Sequence, residues 1–209
     1  MHNYVIVTPP TLLSDNYKDY LEKAPAFVKG DVDAKKGLEH LAEGGVSEIG
    51  ANHKSNANVF YTGSYDWVDP RNDELWNSGS ESNPVKTDYD PCPDGWRVPT
   101  YAELSELSKN HSSWTTDENG QVGYWFSGAS TYTETVPQVF FPAAGYRSNS
   151  DGNADDRGSS GYYWSSRPNN PYADNLCFYG GLVYMGSYFS RASGYSVRCV
   201  QATDEVAEL

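Results

Sequence analysis

One stretch of this chain carries a complete helix start signal, and the residues after it carry none. In Thr100-Tyr101-Ala102-Glu103 the Thr hydroxyl can accept from the backbone N–H three residues on, while the Glu carboxylate reaches back to the Thr N–H. The resulting helix runs through Leu104 and Leu107 to about Lys109, with Asn110 as its stop. Beyond it, short β-branched and aromatic runs punctuated by Gly, Pro, Asn and Ser predict strands at 136–141, 162–165, 175–178, 182–184 and 195–200. In the last of these, Val197 and Cys199 alternate with polar neighbours as the inward face of a half-buried strand. Residues 147–161, rich in Ser, Asp, Asn and Gly, read as an irregular loop. One helix among short strands and long loops predicts an α+β domain.

Residues 1–55 differ from the rest and hold most of the lysines. A strand at 4–7 is expected there, then a short helix capped by Ser14 or Asp15, with Tyr17, Tyr20 and Leu21 on one face and Pro25 as its stop. A second helix at 33–42 would bury Leu38 and Leu41 and end at Gly44-Gly45. The expected organisation is an N-terminal extension over 1–55 packed on a main domain at 56–202, with a tail at 203–209.

The formal net charge is -13 over 209 residues. Nucleic-acid binding needs an excess of Lys and Arg to neutralise phosphates, so this balance excludes a general binder of that class and disfavours anionic lipid. After Lys109 the cations are Arg147, Arg157, Arg167, Arg191 and Arg198, the residue type better suited to stacking and bidentate bonding. No run is apolar enough to insert into a membrane, and residues 1–10 lack the charged start and apolar core of a signal peptide.

Catalytic signatures are missing: no G-x-S-x-G elbow, no G-x-G-x-x-G, no Walker loop and no H-E-x-x-H. His2, His40, His53 and His111 lie away from every cysteine, which argues against zinc. Asp151, Asn153 and Asp155 alternate as calcium-ligating oxygens could. The EF-hand pattern fails, however, with Asp156 where Gly belongs and Tyr162 where Glu belongs, and a solvated acidic turn is the alternative. The expectation is therefore no enzyme, no metal and no cofactor. A bridge between Cys92 and Cys199 would staple the start of the main domain to its end; two buried thiols are the alternative, and Cys177 is the odd one.

The chain is 14% aromatic, with 17 Tyr, and residues 167–192 combine Tyr with Asn, Ser and Gly. Antibody-type paratopes share this chemistry, because Tyr offers rigid amphipathic area while Ser, Gly and Asn offer adaptable hydrogen bonds. Around this segment stands an ordered series: Tyr89-Asp90-Pro91-Cys92-Pro93-Asp94-Gly95-Trp96-Arg97-Val98-Pro99-Thr100, Phe141-Pro142-Ala143-Ala144-Gly145-Tyr146-Arg147, Gly161-Tyr162-Tyr163-Trp164-Ser165-Ser166, and Gly194-Tyr195-Ser196-Val197-Arg198-Cys199-Val200. The series resembles the major-paralogous (FISUMP) domain of Bacteroidetes and Fibrobacter surface proteins. It is also similar to the frame around the variable region in C-type-lectin-fold variable proteins of diversity-generating retroelements. The resemblance covers residues 60–200 and leaves 1–55 uncovered.

What the resemblance implies is a C-type-lectin-like fold whose frame holds a display surface, on a cell surface or phage virion, binding a protein or other cell-surface ligand as a monomer. Adenine-directed mutagenesis turns Asn codons into Tyr, Ser, Asp, Gly, Phe, Leu, Arg or Cys codons, the mixture seen here. Against a frame of Asn175, Leu176, Phe178, Gly181, Val183, Arg191 and Gly194, the exchangeable ligand contacts are Cys177, Tyr179, Leu182, Tyr184, Met185, Gly186, Tyr188, Phe189 and Ala192. Arg167, Asn169, Asn170, Tyr172 and Asp174 are further candidates. The alternatives are a fixed cell-surface or fimbrial adhesin module of the same fold and, from another class, a formylglycine-generating type of enzyme. That enzyme's catalytic cysteine pair has no counterpart here, and the calcium-and-sugar tripeptides Glu-Pro-Asn and Trp-Asn-Asp are missing.

Overall fold

A computed structural model describes residues 6–7, 40–43, 59–62, 65–66, 68, 71–118, 120–127 and 138–202. In chain order its strands begin with β1 (Ile6–Val7), β2 (His40–Glu43), β3 (Val59–Thr62) and β4 (Trp96–Arg97). After the helix α1 (Tyr101–Ser108) come β5 (Thr115–Thr116), β6 (Val122–Ser127), β7 (Gln138–Pro142), β8 (Tyr146–Arg147) and β9 (Ala154–Asp155). The last part of the chain forms β10 (Ser160–Asn169), β11 (Tyr172–Tyr179), β12 (Leu182–Ser190), β13 (Ser196–Val197) and β14 (Val200–Gln201).

Among the described residues, strands take up 45% and the one short helix 7%. The expected α+β class, with the C-type-lectin-like fold attached to it, is corrected: this is a β-sheet fold. The physical reason lies in 160–190, where three short strands were expected and β10, β11 and β12 instead run to 10, 8 and 9 residues. Their Tyr, Trp, Phe and Val side chains suit a pleated surface, and both connections are two-residue turns that cost the ladder little. Asn170-Pro171 joins β10 to β11 through a cis peptide bond, with Asn169 opposite Tyr172. Gly180-Gly181 joins β11 to β12, both at positive φ (53° and 89°), with Tyr179 opposite Leu182. That is the backbone a tight hairpin between right-twisted strands requires, and Gly adopts it without a Cβ clash.

These three strands lie in a five-stranded sheet ordered β1-β13-β10-β11-β12, in which β12 is an edge. Side chains alternate across the sheet, and here both faces are covered. Tyr162, Trp164 and Cys177 point into one core with Trp96, Tyr195 and the Cys92–Cys199 pair. Tyr163, Leu176 and Phe178 point into the other, against Leu104, Tyr124, Phe126 and Phe141. Phe178 lies so close over β10 that a Cβ at Gly161 would sit 2.0 Å from its ring. The half-burial expected for 195–200 is corrected for the same reason: Ser196 and Arg198 are buried along with Val197 and Cys199, and only 196–197 and 200–201 are strand.

Helix α1 carries the capping box read from sequence, with the Thr100 hydroxyl accepting from the Glu103 N–H and the Glu103 carboxylate from the Thr100 N–H. Cys92 and Cys199 are disulfide-bonded across 107 residues, and β4 pairs with β14 beside the bridge. The start and the end of the main domain are thus stapled covalently and by hydrogen bonds. Closing a loop of that length is worth on the order of 4–5 kcal/mol in the chain-entropy account. Upstream, the strand expected at 4–7 is seen as Ile6–Val7, parallel to β13. The helix expected at 33–42 is corrected at its end, where His40–Glu43 is a strand parallel to Val59–Thr62. Residues 33–39 and the helix expected after Ser14 lie outside the described residues. The loop expected at 147–161 holds Arg147 of β8, all of β9, which pairs with β8 antiparallel, and the first two residues of β10.

Candidate surface on the β11–β12 hairpin

The fourteen residues singled out as contacts divide by depth. Tyr179, Leu182, Tyr184 and Tyr188 are exposed at 40, 56, 37 and 72%, and Asn170 is exposed in its turn. Cys177, Asp174 and Ala192 are fully buried, and so is Gly186, so the expectation that these four contact a ligand is corrected. Each has a packing reason. The Cys177 Sγ faces the first core 3.6 Å from the Tyr184 hydroxyl, and burial pushes its thiol up to about 11. Gly186 has no room for a side chain, since a Cβ would meet the Phe189 ring at 2.8 Å and Asn175 Oδ1 at 3.2 Å. The Ala192 N–H donates to the Tyr65 carbonyl at 3.1 Å. Asp174 accepts from Arg167 Nε at 2.5 Å and Asn169 Nδ2 at 3.0 Å, so these three candidates form one internal network. Met185 and Phe189 are half-buried against the second and the first core respectively.

The exposed rings form two groups at opposite ends of the hairpin. At the Gly-Gly turn, Tyr179 and Tyr184 meet edge to face at 6.0 Å beside Leu182. Partial burial, reinforced by Tyr179 and Cys177, holds the Tyr184 hydroxyl far above its ordinary range, so Tyr184 presents a neutral phenol. At the other end Tyr188 packs edge to face on Tyr172 at 5.9 Å, and Tyr172 on Tyr65 at 6.1 Å. Tyr179 is seven residue steps along β11 from Tyr172, about 23 Å at roughly 3.3 Å per step. Tyr188 stands at φ 82° where the β11–β12 register shifts between Ala173 and Asn175. A tyrosine in that region carries backbone strain that glycine would not.

Tyr65, 63% exposed, was not singled out in the sequence because it lies two dozen residues before Tyr89, where the first motif of the series begins. A cleft of about 470 Å³ of empty space including its mouth is walled by Asp66, Val68, Asn72, Asp73, Leu75 and Trp76 on one side and by 164–168, Ala173 and Arg191 on the other. Arg191 ties the two walls, donating to the Tyr172 carbonyl at 2.8 Å and pairing with Asp73 at 2.7 Å and Asp66 at 3.6 Å.

At the calcium alternative, Asp151 is committed to Asn153, accepting from its backbone N–H at 3.1 Å and its Nδ2 at 2.8 Å. These hydrogen bonds hold its carboxyl below the ordinary range. Among the described residues no group of three His, Cys, Asp or Glu side chains is gathered as a metal site. No helix among them is long and apolar enough to cross a membrane.

Residues 106–200 match a family described as "Domain of unknown function (DUF8237)". The matched span takes in the last three residues of α1, the Tyr124, Phe126 and Phe141 that β6 and β7 give to the second core, and the entire β10–β12 meander. No curated protein and no solved structure matches the chain.

Proposed function

We propose that this protein is a ligand-binding display protein of receptor or adhesin type, whose contact surface is the β11–β12 hairpin and which needs no cofactor. The observation that carries this reading is the exposure of Tyr179, Leu182, Tyr184 and Tyr188 on a strand pair whose Leu176, Cys177, Phe178, Val183, Met185 and Phe189 pack into two cores. Large rings fixed on a rigid scaffold lose little entropy on binding, which is what a protein-contact surface needs. The strained backbone at Tyr188 supports it further, since strain persists where a side chain serves a purpose beyond stability.

The retroelement reading is proposed in a narrower form, with exchange confined to Tyr179, Leu182, Tyr184, Tyr188 and Asn170. A fixed adhesin module of the same architecture is the second reading. It is favoured by the burial of Cys177, Asp174, Gly186 and Ala192, positions that tolerate little change.

Two experiments decide. In the source genome, a near-copy of the segment encoding 162–200 beside a reverse-transcriptase gene, differing only at adenines, is expected; no such copy removes diversification and leaves the adhesin module. For the surface, labelled protein is applied to an array of cell-surface proteins. Replacing Tyr179, Tyr184 and Tyr188 together by Ser is expected to abolish capture while the melting temperature moves by only a few degrees. Capture that survives the triple change sinks the hairpin surface.

A further inference from the structure

Residues directly opposite on neighbouring strands share a face of the sheet. Ser160 and Tyr162 of β10 stand opposite Tyr179 and Cys177 of β11, which stand opposite Leu182 and Tyr184 of β12. The exposed rings of Tyr179 and Tyr184 therefore lie on the face that Tyr162 enters as part of the first core. A carboxylate reaches the same face. Asp156 accepts from the Tyr162 hydroxyl at 3.0 Å, and its carbonyl accepts from the Ser160 N–H at 3.0 Å. Ser160 is one strand spacing, about 4.8 Å, from Tyr179. Burial and the bond to Asp156 push the Tyr162 hydroxyl up, so the phenol donates and the carboxylate accepts. One such bond leaves most of the acceptor capacity of a carboxylate for others.

The charge around this carboxylate has the same sign. Tyr146 packs edge to face on Tyr162 at 5.2 Å, and its hydroxyl is pushed up by burial and then by Asp155, Asp156 and Asp151. Asp155 and Asp156 are both exposed, and among the described residues no ion pair joins either to Arg157, the next residue. The chain itself shows what fits between a tyrosine ring and an aspartate. Arg167 lays its guanidinium carbon 3.3 Å over the Tyr101 ring while its Nε bonds Asp174 at 2.5 Å. The negative face of the ring and the carboxylate attract the planar cation together. Tyr179, Tyr184 and Asp156 repeat that ring and that carboxylate on the surface.

We propose that the hairpin surface selects its protein partner through an arginine side chain. The guanidinium lies against the edge-to-face pair of Tyr179 and Tyr184 and turns its N–H groups toward Asp156. The net charge of -13 draws a basic segment in from a distance and disfavours a second copy of this chain as the occupant. This deepens the binding-surface reading and rests on it for the partner. The arginine preference itself is tested without that partner.

The probe is the blocked peptide acetyl-Gly-Gly-Arg-Gly-Gly-amide, titrated into the full chain at low salt while the Tyr179 and Tyr184 ring resonances are followed by NMR. Loss of the matching signals in Tyr179→Phe and Tyr184→Phe assigns them. A saturable shift at both rings is expected, half-complete below roughly 20 mM, as a few exposed contacts allow. The same peptide with citrulline for arginine keeps the shape without the charge, and should bind at least about threefold more weakly. Asp156→Asn should weaken the arginine peptide about threefold. Asp94→Asn, the same charge change in the turn before β4, should alter it by less than about 1.5-fold. Asn tolerates the left-handed backbone of Asp156 (φ 58°) and can still accept from Tyr162, so the turn is kept. The citrulline comparison needs no variant at all. The proposal is overturned by the lack of a saturable shift, by citrulline binding as tightly, or by equal losses in Asp156→Asn and Asp94→Asn. A lysine peptide binding as tightly overturns the choice of a guanidinium. Array capture lost with the triple Tyr replacement yet indifferent to Asp156→Asn would leave the hairpin surface standing and remove its arginine preference, so the two failures are separable.

Discussion

Strands β11 and β12 are hydrogen-bonded partners of similar length, yet they stand under opposite constraints. From Asp174 to Phe178 every residue of β11 is buried, because β10 and β12 flank it and a core covers each face. On β12 the outer edge is open among the described residues, and side chains alternate between half-buried Val183 and Met185 and exposed Leu182 and Tyr184. Position in the sheet, more than residue type, decides what a side chain is free to do. Cys177 and Tyr184 face each other across one ladder rung, and the first is frame while the second is surface.

That contrast can be broken at several points. The largest effect belongs to Phe178→Ala, which empties the contact over Gly161 and the ring cluster around Tyr124. It is expected to cost about 3–5 kcal/mol in chemical denaturation; a loss below 1 kcal/mol would show that β11 is not the frame. Gly186→Ser, on β12 itself, tests whether an inner position of the display strand is exchangeable. Overpacking against Phe189 and Asn175 is expected to cost about 1–3 kcal/mol, and a neutral result would restore Gly186 to the variable set. Tyr184→Ser should cost no more than about 1 kcal/mol, since its ring is only partly buried. Tyr188→Gly is the smallest change. Relief of the positive φ should leave stability equal or up to about 1 kcal/mol higher, measured as an unchanged or raised melting temperature.

Cys177 sharpens the same comparison through its chemistry. Its raised pKa means the native protein favours the protonated thiol, so its contribution is intact below the ordinary value of 9.0 and fades as pH climbs toward about 11. Because the thiolate is the nucleophile, iodoacetamide at pH 8 should leave Cys177 unmodified in the native protein and label it after unfolding with the disulfide intact. Rapid native labelling would place Cys177 on the surface.

Much of this was legible in sequence, and the failures share a cause. The capping box is a local signal within four residues, and α1 begins where it says. The strands expected at 136–141, 162–165, 175–178 and 182–184 overlap β7, β10, β11 and β12, but their lengths and the Gly180-Gly181 turn were not read. Face could not be read either. A two-residue alternation marks two faces without saying whether one or both are covered, so Cys177 and Tyr179, both odd positions on one face, looked equally exchangeable. One lies under the first core and the other beyond its edge. The cleft was invisible for a different reason: its walls pair Asp66 and Val68 with Trp164 and Arg167, nearly a hundred positions apart, and no short pattern records that approach.

The two minimal turns of the β10–β11–β12 meander bear on how such a surface can change over time. An inserted or deleted residue in Asn170-Pro171 or Gly180-Gly181 would slide one strand past its neighbour and exchange inward for outward side chains along its length. Antibody loops explore new shapes by varying in length; this hairpin has no slack to do so. Under the proposed diversification, a repertoire would have to be written in side-chain identity on an invariant backbone, one codon for one codon, with the length of the segment held constant.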